Sequence, residues 1–264
     1  MEARPPREIA EQVEKVGVAK ARTDAVTLFV LAILAGAFIS LGALFFAVVI
    51  TGSQSQLGFG VTRLIGALSF CLGLILVIVG GAELFTGNNL LAMAWASRLI
   101  TTAEVLRNWV IVYLGNVLGC LGTVGFVLWG DIASLGPEGA VGKTALAIAQ
   151  AKSQLGYGEG FARGVLCNAL VCMAVWLTLG GRSVADKILA ILFPISAFVA
   201  VGFEHSIANW FFLPWGLALD HHQTIPLAGV VRNLVVVTLG NIVGGTVLVA
   251  AVYWLAYLRG TRPA

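Results

Sequence analysis

Glu204 and His205 stand side by side in GFEHSIANW (202–210), flanked by the apolar runs ILAILFPISAFVAV and FFLPWGLAL. Burying a carboxylate and an imidazole in hydrocarbon is costly, so the surroundings must satisfy them. An imidazole changes charge near neutral pH, with an unperturbed pKa of about 6.5. It could pass a proton to an anion, or offset that anion's charge as imidazolium. The plainer reading is a core histidine satisfied by a neighbour. A second polar stretch, GAELFTGNN (81–89), shares the pattern Gly-x-Glu-x-x-x-x-Asn. Gly81 answers Gly202, Glu83 answers Glu204 and Asn88 answers Asn209, but Leu84 stands where the second stretch has His205. Thr86 offers a hydroxyl to a solute or to the histidine. Asn168 lies in mid-run of RGVLCNALVCMAVW, where a helix–helix hydrogen bond competes with a place along a pathway.

Other chemistries find little footing. Cys71, Cys120, Cys167 and Cys172 fall in apolar runs without CxxC spacing and read as small core residues. His221 and His222 share a loop, two ligands that do not make a metal site, and no HExxH motif occurs. No nucleophile, base and orienting group fall together, which disfavours an intramembrane enzyme. No cofactor or metal is expected. A sensor or scaffold without flux would leave the paired polar stretches purposeless.

The elements that carry these residues are membrane spans. Of 264 residues 59% are hydrophobic and 11% charged, where soluble domains carry about 25% charged. Six apolar regions are long enough to cross: 25–50, 64–97, 108–130, 161–180, 188–219 and 233–258. The second and fifth run for 34 and 32 residues, about 50 Å as continuous helix, against about 30 Å of hydrocarbon. Each holds its glutamate in mid-run, so a helix broken near the acid is expected. Glu83 and Glu204 are then read as structural, accepting hydrogen bonds from freed N–H groups or from Asn88 and Asn209.

Eleven of the 16 Lys and Arg residues lie in the N-terminus, 98–107, 180–187 and the C-terminal tail. The opposite side holds the rest, although its loop, 131–160, is the longest. The positive-inside bias puts both termini in the cytoplasm. The reading divides the chain into a cytoplasmic amphipathic segment 1–24, one transmembrane domain 25–258 and a cytoplasmic tail 259–264. Within 8–22, Ile9, Val13 and Val16 at helical spacing predict a short helix on the membrane surface. No h-region precedes it, so the N-terminus is expected to be retained.

Residues 107–129 (RNWVIVYLGNVLGCLGTVGFVLW) and 232–254 (RNLVVVTLGNIVGGTVLVAAVYW) are identical at 11 of 23 positions without gaps. With the paired breaks, this predicts an all-α membrane protein of six transmembrane helices. It is a 3+3 inverted repeat, halves 25–130 and 161–258, with helices 2 and 5 broken. Such repeats build pathways where discontinuous helices meet. Asn116 and Asn241, in the duplicated LGN, read as helix-packing glue.

GAELFTGN, RGVLCNALVCMAVW, GFEHSIAN and VTLGNIVGG together resemble the formate/nitrite transporter family over nearly the whole chain. The resemblance implies an aquaporin-like homopentamer with a pore in each protomer, in a bacterial or archaeal inner membrane. Its permeants would be small monovalent anions or their acids: formate, nitrite or hydrosulfide, and more weakly acetate or lactate. His205 itself raises the expectation of coupling to protons, with conduction of the bare anion as the alternative. It makes His205 the central pore histidine, Thr86 its partner and Asn168 a pore-lining residue. Leu74, Leu84, Phe85 and Val171 would narrow the cytoplasmic side, and Phe70 and Phe198 the outer side. Lys152 would draw anions into the vestibule. Phe203 before Glu204 and Pro214 after Asn209 lean towards the formate branch, whereas ELFTGNN sits equally near the nitrite branch. Neither break carries the NPA of water channels.

Overall fold

The computed structural model describes residues 3–260; the last four residues of the expected tail lie outside the described residues. Among the described residues eleven α-helices follow one another: α1 (Pro6–Arg22), α2 (Ala25–Ile50), α3 (Gln54–Gly80), α4 (Leu91–Ala96), α5 (Thr102–Trp129), α6 (Ala140–Gln154), α7 (Tyr157–Gly180), α8 (Val184–Val201), α9 (Ser206–Leu219), α10 (Leu227–Val243) and α11 (Val252–Tyr257). A π-helical stretch, Gly244–Ala251, makes α10 and α11 one continuous rod. Among the described residues, α2, α3, α5, α7, α8 and the α10–α11 rod are long and apolar enough to cross a bilayer. Caps mark where three of them start: Asp24 accepts from Thr27 N–H, while Thr101 with Glu104 and Ser183 with Asp186 form capping boxes.

Both long apolar regions are interrupted. α3 stops at Gly80 and α8 at Val201, each followed by a glycine in the left-handed region: Gly81 at φ 78° and Gly202 at φ 87°. Only glycine adopts that turn without penalty, so the shared Gly-x-Glu begins each break. The chain runs extended for a few residues. It resumes as a 3₁₀ turn (Gly87–Leu90) leading into α4, and on the other side as α9.

Close helix packing follows a matching plan in the two halves. α2 lies against α3 and α5, as α7 lies against α8 and α10. A Cβ on Gly119 would collide with the carbonyl of Ile33, and one on Gly244 with that of Val165. Glycine at these points brings backbones together where lipid gives no hydrophobic drive.

Three expectations need correction. The loop expected at 131–160 contains α6. The N-terminal helix α1 does not spend its apolar face on lipid: Ile9, Ala10, Val13 and Ala21 are buried in protein clusters shared with α4, α7 and α11. Spans also begin earlier than hydropathy suggested, α5 at Thr102 and α7 at Tyr157, because polar first turns extend the helices beyond the apolar core.

Candidate functional site

Each break is held by one Lys–Glu–Asn–Asn cluster, and the two clusters match closely. At the first, Lys20 Nζ lies 2.9 Å from Glu83 Oε2 and donates to Asn88 Oδ1. Asn88 Nδ2 donates to Glu83 Oε2 at 2.8 Å and to Asn108 Oδ1 at 2.9 Å, and Asn108 returns a bond to the Lys20 carbonyl at 3.1 Å. At the second, Lys152 Nζ lies 2.8 Å from Glu204 Oε1. Asn209 Nδ2 donates to Glu204 Oε2 and to Asn233 Oδ1, both at 2.7 Å, and Asn233 returns to the Lys152 carbonyl at 3.0 Å. The glutamates are thus paired, as buried charges must be. The partners come from outside the spans: Lys20 from α1 and Lys152 from α6, two helices absent from the repeat seen in the sequence.

The freed backbone is satisfied by the duplicated LGN. Asn116 Oδ1 accepts from Phe85 N–H at 2.9 Å, while its Nδ2 donates to the carbonyls of Glu83 and Ala32. Asn241 does the same for Ser206 N–H at 2.8 Å and for the carbonyls of Glu204 and Gly164. These asparagines do more than glue helices: they take the place of lost helical hydrogen bonds. Replacing Asn241 with leucine strands the Ser206 N–H and the Glu204 carbonyl in a dry interior. The expected cost is about 3 kcal/mol or more, from about 1–3 per orphaned group. It should appear as a lower thermal unfolding midpoint in detergent.

His205 sits where the copies differ. Its Nδ1 accepts from the Ala208 N–H at 3.2 Å, capping α9 within the membrane. A neutral ring whose Nδ1 accepts must carry its proton on Nε2. Nε2 lies 3.1 Å from Thr86 Oγ1, so the ring donates to the threonine and leaves the threonine hydroxyl proton free for another acceptor. Phe198 stacks on the imidazole at 6.0 Å, and Phe70 meets Phe198 edge-on at 5.7 Å.

Two cavities approach this point. The larger, about 520 Å³, is lined by Phe70, Phe198, His205 and Lys152 among others. The smaller, about 50 Å³, is lined by Leu74, Leu84 and residues of α1 including Lys20. Thr86, Phe85, Val171 and Asn168 are fully or nearly buried and open onto neither cavity. Phe85 is wedged edge-on against Tyr113 at 4.9 Å. Asn168 donates to the Thr86 carbonyl at 3.2 Å, to Asn89 Oδ1 and to the Asn241 carbonyl, so it fastens the first break to α7 and α10.

Two cavities, narrowed by apolar side chains where they approach one buried imidazole between interrupted helices, describe a conduit. The family model described as Formate/nitrite transporter matches residues 7–255. The chain belongs to that family. It is 38% identical to the protein named formate channel FocA of Escherichia coli (strain K12) over 96% of this chain and 94% of that one. Among solved structures, a pentameric formate channel with formate bound is 38% identical, with a TM-score of 0.80 over 89% of this chain and 98% of that one. An FNT family ion channel, 29% identical, reaches a TM-score of 0.86 over 94% and 98%. Formate/nitrite transporters are not enzymes, and this one is a multi-pass membrane protein.

Sequence reasoning did not single out Lys20, Asn108 and Asn233. The two asparagines had left a sign, because Arg-Asn opens both duplicated segments at 107–108 and 232–233. The arginines tie the same helices: Arg107 donates to the Thr23 carbonyl at 3.1 Å and Arg232 to that of Ser153 at 2.9 Å. Lys20 had no such sign.

Proposed function

We propose that this chain is a channel for formate and related small monovalent anions, passing them with protons, in effect as the neutral acid. The observation that carries this reading is the Thr86–His205 contact between the two cavities, in a chain similar end to end to formate channels. A bare anion in an apolar constriction faces a large desolvation cost. Protonating it removes the charge for the passage past Phe70 and Phe198 on one side and Leu74 and Leu84 on the other. Phe85 and Val171 back the narrow layer, and Asn168 holds its backbone. The breaks, with Glu83, Glu204, Asn88 and Asn209 as structural groups, belong to two halves of opposite orientation. The cytoplasmic placement of both termini is supported by the Lys and Arg distribution. A bacterial or archaeal cytoplasmic membrane and a pentamer are the setting, the latter by likeness to a pentameric formate channel.

Nitrite is the second reading, and the likeness to relatives named as formate channels or a probable formate transporter supports formate over it. Purified protein in liposomes decides between them. Formate is expected to move faster than nitrite or hydrosulfide, and faster as pH falls. A nitrite rate above the formate rate overturns the assignment.

A further inference from the structure

Three cations line the larger cavity: Arg63, Lys152 and Arg163. Two of them are spoken for by carboxylates on the same wall. Lys152 Nζ is 2.8 Å from Glu204 Oε1, with side chains only 15% and 5% exposed, and Arg163 Nη2 is 2.5 Å from Glu159 Oε1. Among the described residues no carboxylate pairs with Arg63. Its partners are carbonyls: Nε donates to Ala200 at 2.9 Å and Nη2 to Val199 at 2.6 Å. The guanidinium also lies over the Phe46 ring, 5.9 Å from its centre.

Those carbonyls belong to the last turn of α8, which ends at the Gly202 break. A helix C-terminus carries about half a negative charge, and half-helix C-termini in transporters attract cations. Left bare, this end would put negative charge on the wall of a cavity meant for anions. Arg63 covers it with a full positive charge, using two of its five N–H donors and leaving the rest for solvent or solute. At the first break, no side-chain donor among the described residues reaches the carbonyls of Ile78 or Val79, the counterparts in α3. Arg63 therefore departs from the repeat as His205 does, and both line the same cavity.

We infer that Arg63, rather than the neutralised Lys152, supplies the charge that draws anions into the larger cavity and sets its preference for them. The inference rests on the anion-channel reading above. It makes Arg63 a residue for selectivity and apparent affinity, separate from the proton step at His205. Lysine would keep the charge at this position but could not bridge both carbonyls with one planar fork.

Formate flux into liposomes is measured at ionic strengths of about 10 mM and about 150 mM, where screening lengths are about 30 Å and about 8 Å. Wild-type protein is expected to lose apparent affinity on adding salt. Arg63→Gln should weaken apparent affinity about fivefold at low salt, as loss of a focusing charge does, and remove most of the salt response while largely keeping the maximal rate. Wild-type affinity and salt response in Arg63→Gln overturn the inference, and so does a lower maximal rate with the salt response intact. Should Arg63→Gln fail to fold, Arg63→His carries the test, because its charge can be switched in one protein. Its salt response should match wild type at pH about 5.5 and vanish by about 7.5, either side of an ordinary imidazole pKa. An equal response at both pH values overturns the inference. Absence of formate flux in the wild-type protein instead defeats the channel reading itself.

Discussion

Replacing His205 with phenylalanine is expected to lower formate flux at neutral pH by about 10²-fold, the low end for a positioned proton donor, and to flatten its rise toward acid pH. The ring is buried, capped at Nδ1 by Ala208 N–H and hydrogen-bonded through Nε2 to Thr86. A proton collected from solution turns it into imidazolium, which must give up the Ala208 contact, a cap worth about 1 kcal/mol. Passing that proton to a formate oxygen yields neutral formic acid and lets the cap re-form. The charged ring thus carries a penalty of about 1 kcal/mol that handing on the proton relieves, which favours the proton-coupled route over steady conduction of bare anion past a permanent imidazolium. Phenylalanine preserves the stacking on Phe198 but removes both nitrogens, and with them the α9 cap and the Thr86 bond, so the flattened pH profile rather than the lower rate reports the proton. Proteoliposome flux across pH of about 5 to 8, spanning the ordinary imidazole range, provides it. A pH profile identical to wild type would end the assignment of His205.

The second large effect is on stability. Lys152→Met leaves Glu204 without its cation in a site where the carboxylate side chain is 5% exposed. Removing one partner of a buried pair costs about 3–5 kcal/mol, because the remaining charge is uncompensated. The unfolding midpoint in detergent should fall steeply, and the double variant Lys152→Met/Glu204→Gln should recover much of the loss. Its glutamine keeps an acceptor for Asn209 while shedding the charge. Lys20→Met should cost less, since the Lys20 and Glu83 side chains are 27% and 13% exposed and water screens them better. A double variant no more stable than Lys152→Met alone would show that the pair is not what holds the second break.

Hydropathy and self-similarity carried far because both follow from local composition. A bilayer demands about 20 apolar residues per span, so two runs of 34 and 32 with a glutamate in each announced their own interruptions. The structure adds that the helices stop at Gly81 and Gly202, both left-handed, for only glycine turns that way freely. His205 stood out by having Leu84 as its counterpart. Even the Asn116 and Asn241 correspondence was legible, although their bonds to the break backbone were not.

The burial of α1 was not legible, because an amphipathic face reads the same whether lipid or protein covers it. The sequence by itself determined that this chain crosses a membrane six times, in two like halves with a polar break in each. Tertiary structure alone decided who neutralises the acids at those breaks. Lys20 and Lys152 lie 63 and 52 residues along the chain from their glutamates, on helices that share no visible pattern with each other. Charge pairing across such separations depends on where folded helices arrive, a property of packing that no window of neighbouring residues encodes. The same holds for Arg63, whose carbonyl partners in α8 lie 136 and 137 residues further along the chain.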